Sequence, residues 1–256
     1  MEEKKKSNIG IILLVIVLLC AAFAGGYFVN EKGLIGGEKD TPKEEEKEEK
    51  ETTKELDVNS RLVKMLYNET IMPELSDSCH KQYETWSEGT EKKDFVAESA
   101  MEEIKMRFVA HNLSEDFIKH GGKAPASPLE NYKNSDQDSY YEKSYIDSVY
   151  KQIFGVNSKL DTSATMYKDR AHFNAYIYDS KTDNYYLYNI IVGDAICGPA
   201  EEKLTLSKAV EKGDIVELTV NAEWFAENVS EEKYKYIYTF EKDKDELYKF
   251  VSVKVE

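Results

Sequence analysis

Residues 214–256 read DIVELTVNAEWFAENVSEEKYKYIYTFEKDKDELYKFVSVKVE, and the period of this stretch decides the fold. Val216, Leu218, Val220, Ala222 and Trp224 recur at every second position. Tyr234, Tyr236, Tyr238 and Phe240 do the same, and Leu247, Val251, Val253 and Val255 follow an acidic turn at Glu241–Glu246. A period of two places such residues on one face of a β-strand, and short polar connections join neighbouring strands into antiparallel hairpins. Gly213-Asp214 marks a turn before the stretch, and Leu204, Leu206 and Val210 alternate in front of it.

Further upstream, Phe173, Ala175 and Ile177 alternate with His172, Asn174, Tyr176 and Tyr178, and a turn at Ser180–Asn184 leads into Tyr185–Val192 as a second hairpin. Before residue 164 the period is helical. Asp57 is placed to cap a helix with Leu62, Val63, Leu66 and Tyr67 as its stripe, ended by Pro73. Asp94 is placed to cap a second, with Ala97, Ala100, Met101, Ile104 and Phe108 on one face. Ser114 opens a short turn that stops at Gly121-Gly122, Lys123–Asn134 reads as a loop, and a helix from Asp138 buries Ile146, Val149, Tyr150 and Ile153 before Gly155. Three or four helices followed by an antiparallel sheet of five to seven strands make the fold class α+β, with helices packed on one sheet face.

The front of the chain is different. Ile9–Val29 carries no charge over 21 residues. As a helix it is about 31 Å long, the thickness of a bilayer's hydrocarbon core. Lys4, Lys5 and Lys6 precede it, so the expected topology is a cytoplasmic stub at 1–8, a transmembrane helix at 9–29 and an extracytoplasmic remainder. Ala22-Phe23-Ala24 before Gly25 is the competing reading, a signal-peptidase site that would release the rest. Acylation of Cys20 is a further alternative, opposed by the bulky Leu19 before it. Residues 30–55 follow as a linker; 38–55 alone hold nine acids and five lysines and have almost nothing apolar to bury. The folded ectodomain is expected over 56–256, long enough to build its own core.

The formal charge of −15 over 256 residues disfavours nucleic acid and anionic lipid headgroups as partners. Of three cysteines, Cys79 and Cys197 lie beyond the apolar segment, and in an oxidising compartment an isolated pair is expected to form a disulfide. Two buried free thiols are the other reading. His80, His111, His120 and His172 form no HExxH or Cys/His ligand spacing, and Asn134-x-Asp136-x-Asp138 lacks the glycine and bidentate glutamate of a calcium loop, with Ser139 and Tyr145 in those places. No metal and no cofactor is expected, and no GxSxG, SxxK, P-loop or Rossmann glycine pattern marks catalysis. The residues best placed for binding are His172, Asn174, Tyr176 and Tyr178, which share one side of a strand, with Tyr185 or Tyr186 on its neighbour. On a curved sheet they would line an aromatic pocket; a tyrosine-rich solvent face is the alternative.

The stub, span and Glu/Lys spacer, and the ending YKYIYTFEKDKDELYKFVSVKV, resemble the singly anchored extracytoplasmic proteins of low-GC Gram-positive bacteria. Thirty-one lysines against three arginines fit that resemblance. The closing hairpin and the helices-then-sheet order are similar to NTF2-like domains, which host both enzymes and binding modules. That likeness does not choose between them. Because the sequence offers no recognisable set of catalytic groups, the expectation is a single-pass cell-membrane protein whose outer domain binds a small ligand or an envelope protein without catalysis. An envelope-acting enzyme with a pocket on the concave sheet face, and a structural subunit of an envelope complex, remain the alternatives.

Overall fold

The computed structural model describes residues 53–71, 80–87, 91–134, 138–168, 172–190, 200–226, 229–243 and 247–256. The apolar segment Ile9–Val29, most of the linker, and both Cys79 and Cys197 lie outside the described residues. Among the described residues no helix is long and apolar enough to cross a membrane.

The described chain is α+β, with antiparallel pairing throughout its two sheets. The C-terminal stretch forms four long neighbouring strands, β8 (Ala200–Lys212), β9 (Ile215–Ala226), β10 (Val229–Lys242) and β11 (Tyr248–Val255). They pair in sequence order, flanked by the short β1 (Thr53–Glu55) and β2 (Phe95–Val96), so that the six-stranded sheet runs β1-β8-β9-β10-β11-β2. In register, Tyr234, Tyr236, Tyr238 and Phe240 face Ala222, Val220, Leu218 and Val216. All eight side chains are buried. The alternation read from the sequence therefore marks the inner face of the sheet.

Three helices cover that face: α1 (Arg61–Thr70), α2 (Glu102–His111) and α3 (Lys143–Phe154). Val63 and Leu66 of α1, Phe108 of α2 and Ile153 of α3 enter one core with the strands. Phe108 lies 5.0 Å from Phe95 and 5.1 Å from Phe250, and Phe95 stacks on Phe250 at 5.2 Å.

Several boundaries differ from expectation, each for a local reason. Thr53–Glu55, assigned to the linker, pairs with Val210–Lys212 because β8 would otherwise present that edge unpaired. The cap of α1 is Ser60, whose Oγ accepts from Val63 N–H at 3.4 Å, while Asp57 accepts from Asn59 N–H and shapes the turn before it. Residues 94–101 do not begin α2: Phe95 and Val96 extend the sheet, and Asp94 accepts from Val255 N–H at 2.8 Å. Tyr132–Asn134 (β3) and Tyr140–Glu142 (β4) are strands, so α3 starts five residues after Asp138. Along β11 the inward positions are Phe250 and Val253. The register shifts between Thr239 and Phe240, leaving Val251 as the extra residue, and the alternation breaks there.

Instead of one sheet there are two. The hairpin β6 (Asn174–Asp179) and β7 (Asn184–Ile190) belongs to a five-stranded sheet with β3, β4 and β5 (Met166–Tyr167). Its aromatic residues explain the separation, because both faces need cover. Tyr176 and Tyr185 point into the main core, whereas Tyr186 and Tyr188 form a second cluster with Ala124 from the 123–131 loop. Tyr188 Oη donates to Pro125 O at 3.2 Å, which satisfies its polar tip.

Segment 80–87 is fixed to the sheet by a half-buried carboxylate. Glu202 accepts from Gln82 N–H at 2.6 Å, from Tyr236 Oη at 2.9 Å and from Tyr234 Oη. Tyr236 Oη in turn accepts from Tyr83 N–H at 3.0 Å. Tyr238, two residues on, is fully buried with its hydroxyl unbonded among the described residues. Tyr238→Phe should raise stability by about 1 kcal/mol, while Tyr236→Phe, which strands the Tyr83 N–H, should lower it by about 2 kcal/mol; urea unfolding of the two variants reads the opposite signs.

Burial pushes the Glu202 carboxyl upward against its three hydrogen bonds, so the folded state holds that proton more tightly than the unfolded chain does. Its contribution to stability is therefore present at low pH and lost as pH rises through the folded-state value. Wild type should gain stability relative to Glu202→Gln on acidification from neutral pH, measured as the difference between their unfolding free energies across the pH series.

Candidate functional site

A cleft of about 490 Å³ opens where α2 ends against the smaller sheet. Ala110 and His111 from the last turn of α2 form one side, followed by Leu113, Glu115 and Ile118. The opposite side is the inward face of the β6–β7 hairpin, with Asn174, Tyr176 and Leu187, and Tyr141 of β4 and Lys168 complete the lining. Tyr176 and Leu187 face each other across the two strands, which is why they share one wall.

The helix ends here for a visible reason. Asn112 follows α2, and its side-chain amide donates to Phe108 O at 2.8 Å and to Glu69 O at 2.9 Å, consuming a terminal carbonyl and tying α2 to α1. The chain then turns through the 3-10 segment Glu115–Phe117, capped by Ser114, whose Oγ accepts from Asp116 N–H at 3.3 Å. That turn carries Glu115 to the cleft and leaves Phe117 exposed, stacked on Tyr145 at 4.3 Å.

Two phenols are set in the cleft wall. Tyr141 Oη donates to Ser114 O at 3.3 Å, and the Tyr176 ring packs 5.4 Å from the Tyr141 ring. Burial raises both phenols above their ordinary range, and the Glu115 carboxylate adds to the rise in each. Both therefore remain protonated donors at physiological pH.

Of the four residues expected to bind, two line this cleft and two do not. Asn174 and Tyr176 are in its wall. Asn174 also accepts from Asn189 Nδ2 at 2.5 Å, which holds its amide across the strand pair. Tyr178 lies further along the strand, packed 5.3 Å from Tyr185 and donating to Asp183 at 2.7 Å in the hairpin turn. His172 precedes β6 in a left-handed conformation (φ 60°), stacks on Tyr167 at 3.9 Å, and its carbonyl accepts from Tyr132 Oη. The shared face is turned inward: Tyr176 is buried, and solvent reaches it only through the cleft.

The other histidines disperse. His80 lies 3.3 Å from Glu84, and His120 Nδ1 lies 3.1 Å from Ser139 Oγ. Among the described residues no three His, Cys, Asp or Glu side chains are grouped as a metal ion would require. The members of the cleft that sequence reading leaves out are Glu115 and Lys168, together with His111, read only as a candidate metal ligand. They come from three separate parts of the chain, and no local pattern joins them.

Two further cavities hold mostly paired charges; among the described residues Glu98 in the first and Lys235 in the second have no ion-pair partner. One of about 390 Å³ contains Lys249, bridged to Glu241 at 2.8 Å, and Lys105, bridged to Glu102 at 3.3 Å. The other, about 600 Å³, lies on the outer face of the large sheet; its Lys233 meets Glu223 at 3.0 Å and its Lys203 meets Glu201 at 3.0 Å. In the 490 Å³ cleft, neither Glu115 nor Lys168 has an ion-pair partner among the described residues.

No protein-family model, no curated protein and no solved structure matches the chain.

Tyr176→Phe should leave the fold intact and cost at most about 1 kcal/mol, because the ring packing against Tyr141 is kept and only the hydroxyl is lost; thermal unfolding with the circular-dichroism spectrum as a fold control measures it.

Proposed function

We propose that the chain is a membrane-tethered extracytoplasmic binding domain that holds a small ligand in the cleft between α2 and the β6–β7 hairpin. The observation that carries this reading is the convergence of Asn174 and Tyr176 with His111, Glu115 and Lys168 in one concavity beside Leu113, Ile118 and Leu187. A few converging polar groups beside apolar side chains are how concave sites orient small molecules. The tether is Ile9–Val29, with the N-terminus cytoplasmic, and the linker gives the domain reach from the membrane. The likeness to NTF2-like domains rests on the β8–β11 meander with helices over one face. The separate five-stranded sheet lies beyond that pattern.

An enzyme acting on an envelope component is the second reading, favoured by His111, Glu115 and the Tyr176 and Tyr141 phenols at one cleft. General acid–base chemistry would need His111, whereas binding alone needs the cleft's shape and its hydrogen bonds.

Two measurements test the proposal. The full chain should stay with membranes after an alkaline wash, and recovery of chains beginning at Gly25 would overturn the tether. A ligand at a hundred times its dissociation constant should stabilise the wild type by about 2.7 kcal/mol. A small-molecule screen by thermal shift should find compounds whose stabilisation is lost in Asn174→Ala and Leu187→Ala. Compounds that stabilise these variants as strongly as the wild type would place binding elsewhere. Product formation that disappears in His111→Asn would favour the enzyme.

A further inference from the structure

We infer that the cleft takes a small zwitterion, a free α-amino acid, with its carboxylate toward Lys168, its ammonium toward Glu115 and its side chain against Leu113, Ile118 and Leu187. The inference rests on the cleft being the binding site and adds the class of ligand.

Lys81 is surrounded by the rings of Tyr83, Trp224 and Tyr234 at 5.8, 5.5 and 5.9 Å and is neutralised by Glu232, which also takes Lys92. That aromatic cage is thus filled by the protein's own ammonium. In the other two cavities Lys105, Lys249, Lys203 and Lys233 have carboxylate partners within 3.3 Å, and a charge of one sign only is left without an ion pair among the described residues, Glu98 in one and Lys235 in the other. The 490 Å³ cleft leaves a charge of each sign unpaired. One anion and one cation line the same concavity, and they do not meet within bridging distance of each other or of any described partner. Two opposite charges held apart across a cleft are complementary to a molecule that carries both signs at its own fixed separation.

The surroundings set the orientation. The last turn of α2 lies on the Glu115 side, and the partial negative charge of its C-terminus adds to the attraction for an ammonium. Lys168 stands beside β6, where its backbone N–H donates to Asn174 O at 3.0 Å, and so it is held close to the Asn174 amide. A carboxylate there would meet an ammonium and amide donors together. The volume is suited to a single residue rather than a chain, and the apolar wall leaves room for an aliphatic or aromatic side chain.

The test uses the full chain in detergent micelles with isotope-labelled backbone, titrated with the proteinogenic amino acids one at a time. The N-acetyl and methyl-ester derivatives of the best binder and its side-chain alcohol follow. The expected result is saturable shifts at Asn174, Tyr176 and Leu187, with each blocked derivative at least about tenfold weaker than the free amino acid. Lys168→Gln should abolish the penalty for esterification and keep that for acetylation, and Glu115→Gln should do the reverse. Both residues are exposed, so neither change threatens the fold. If blocked derivatives or the alcohol shift these signals as well as the free amino acid does, the zwitterion is overturned and the cleft remains a binding site. If no amino acid shifts them while compounds from the thermal screen do, the ligand class is wrong and the site is right. If neither set shifts them, both readings fall.

Discussion

The structure depends on burying tyrosines without abandoning their hydroxyls. The inner face of β10 presents three of them in a row, and each brings a large apolar ring with one polar atom. Glu202 meets the demand for two, accepting from Tyr234 and Tyr236, and its other oxygen takes the Gln82 amide. A carboxylate in that position is costly to desolvate, which is why burial raises it despite three donors. Without it, two phenols and a backbone N–H would lack this common acceptor beneath segment 80–87. The third phenol, Tyr238, lies beyond its reach, and its hydroxyl remains unbonded among the described residues.

The same demand divides the sheet. The β6–β7 hairpin has aromatic rings on both faces and cannot join a sheet with one face open to water. Short strands β3, β4 and β5 gather around it, and the 123–131 loop closes its outer face through Ala124 and the Pro125 carbonyl. Gly155 shows how tightly α3 is fitted to the larger sheet. It ends the helix at φ +96°, and a Cβ there would stand 2.9 Å from the Asp243 carboxylate, which accepts from Val156 N–H.

What was legible in the sequence follows from the range of each signal. Alternation at Val216–Trp224 and Tyr234–Phe240 is local and strong, and the α+β class with its C-terminal meander follows from it. The stripes of α1 and α3 were equally clear, since Val63, Leu66, Ile146, Val149 and Ile153 are buried where periodicity puts them. Boundaries were not. Phe95 follows the Asp94 that the sequence offers as a helix cap, but its ring is needed against Phe250 and its backbone at the β11 edge. Val251 gave way to Phe250 because a bulge has no signature in an apolar run. In the candidate site, Asn174 and Tyr176 could be named because a strand face is a local pattern. Glu115 and Lys168 could not, because their meeting is a product of topology.

The cleft itself arises from a mismatch of lengths. The inward face of the hairpin runs from Asn174 to Tyr178, and α2 ends at His111 before covering all of it. A longer α2 would bury the Asn174 end, fill the space and displace Glu115 from the wall. The Asn112 side chain fixes the stopping point by bonding to Phe108 and Glu69 carbonyls, and the Ser114-capped turn then redirects the chain. Uncovered polar strand positions are therefore held open by a specified helix terminus rather than by loose packing. The floor is held by Tyr141, bonded to the Ser114 carbonyl and packed against the Tyr176 ring. A site preorganised in this way spends little of a ligand's binding energy on ordering its walls. On the proposed reading, selection among ligands falls to Glu115 and Lys168, the charges that line it.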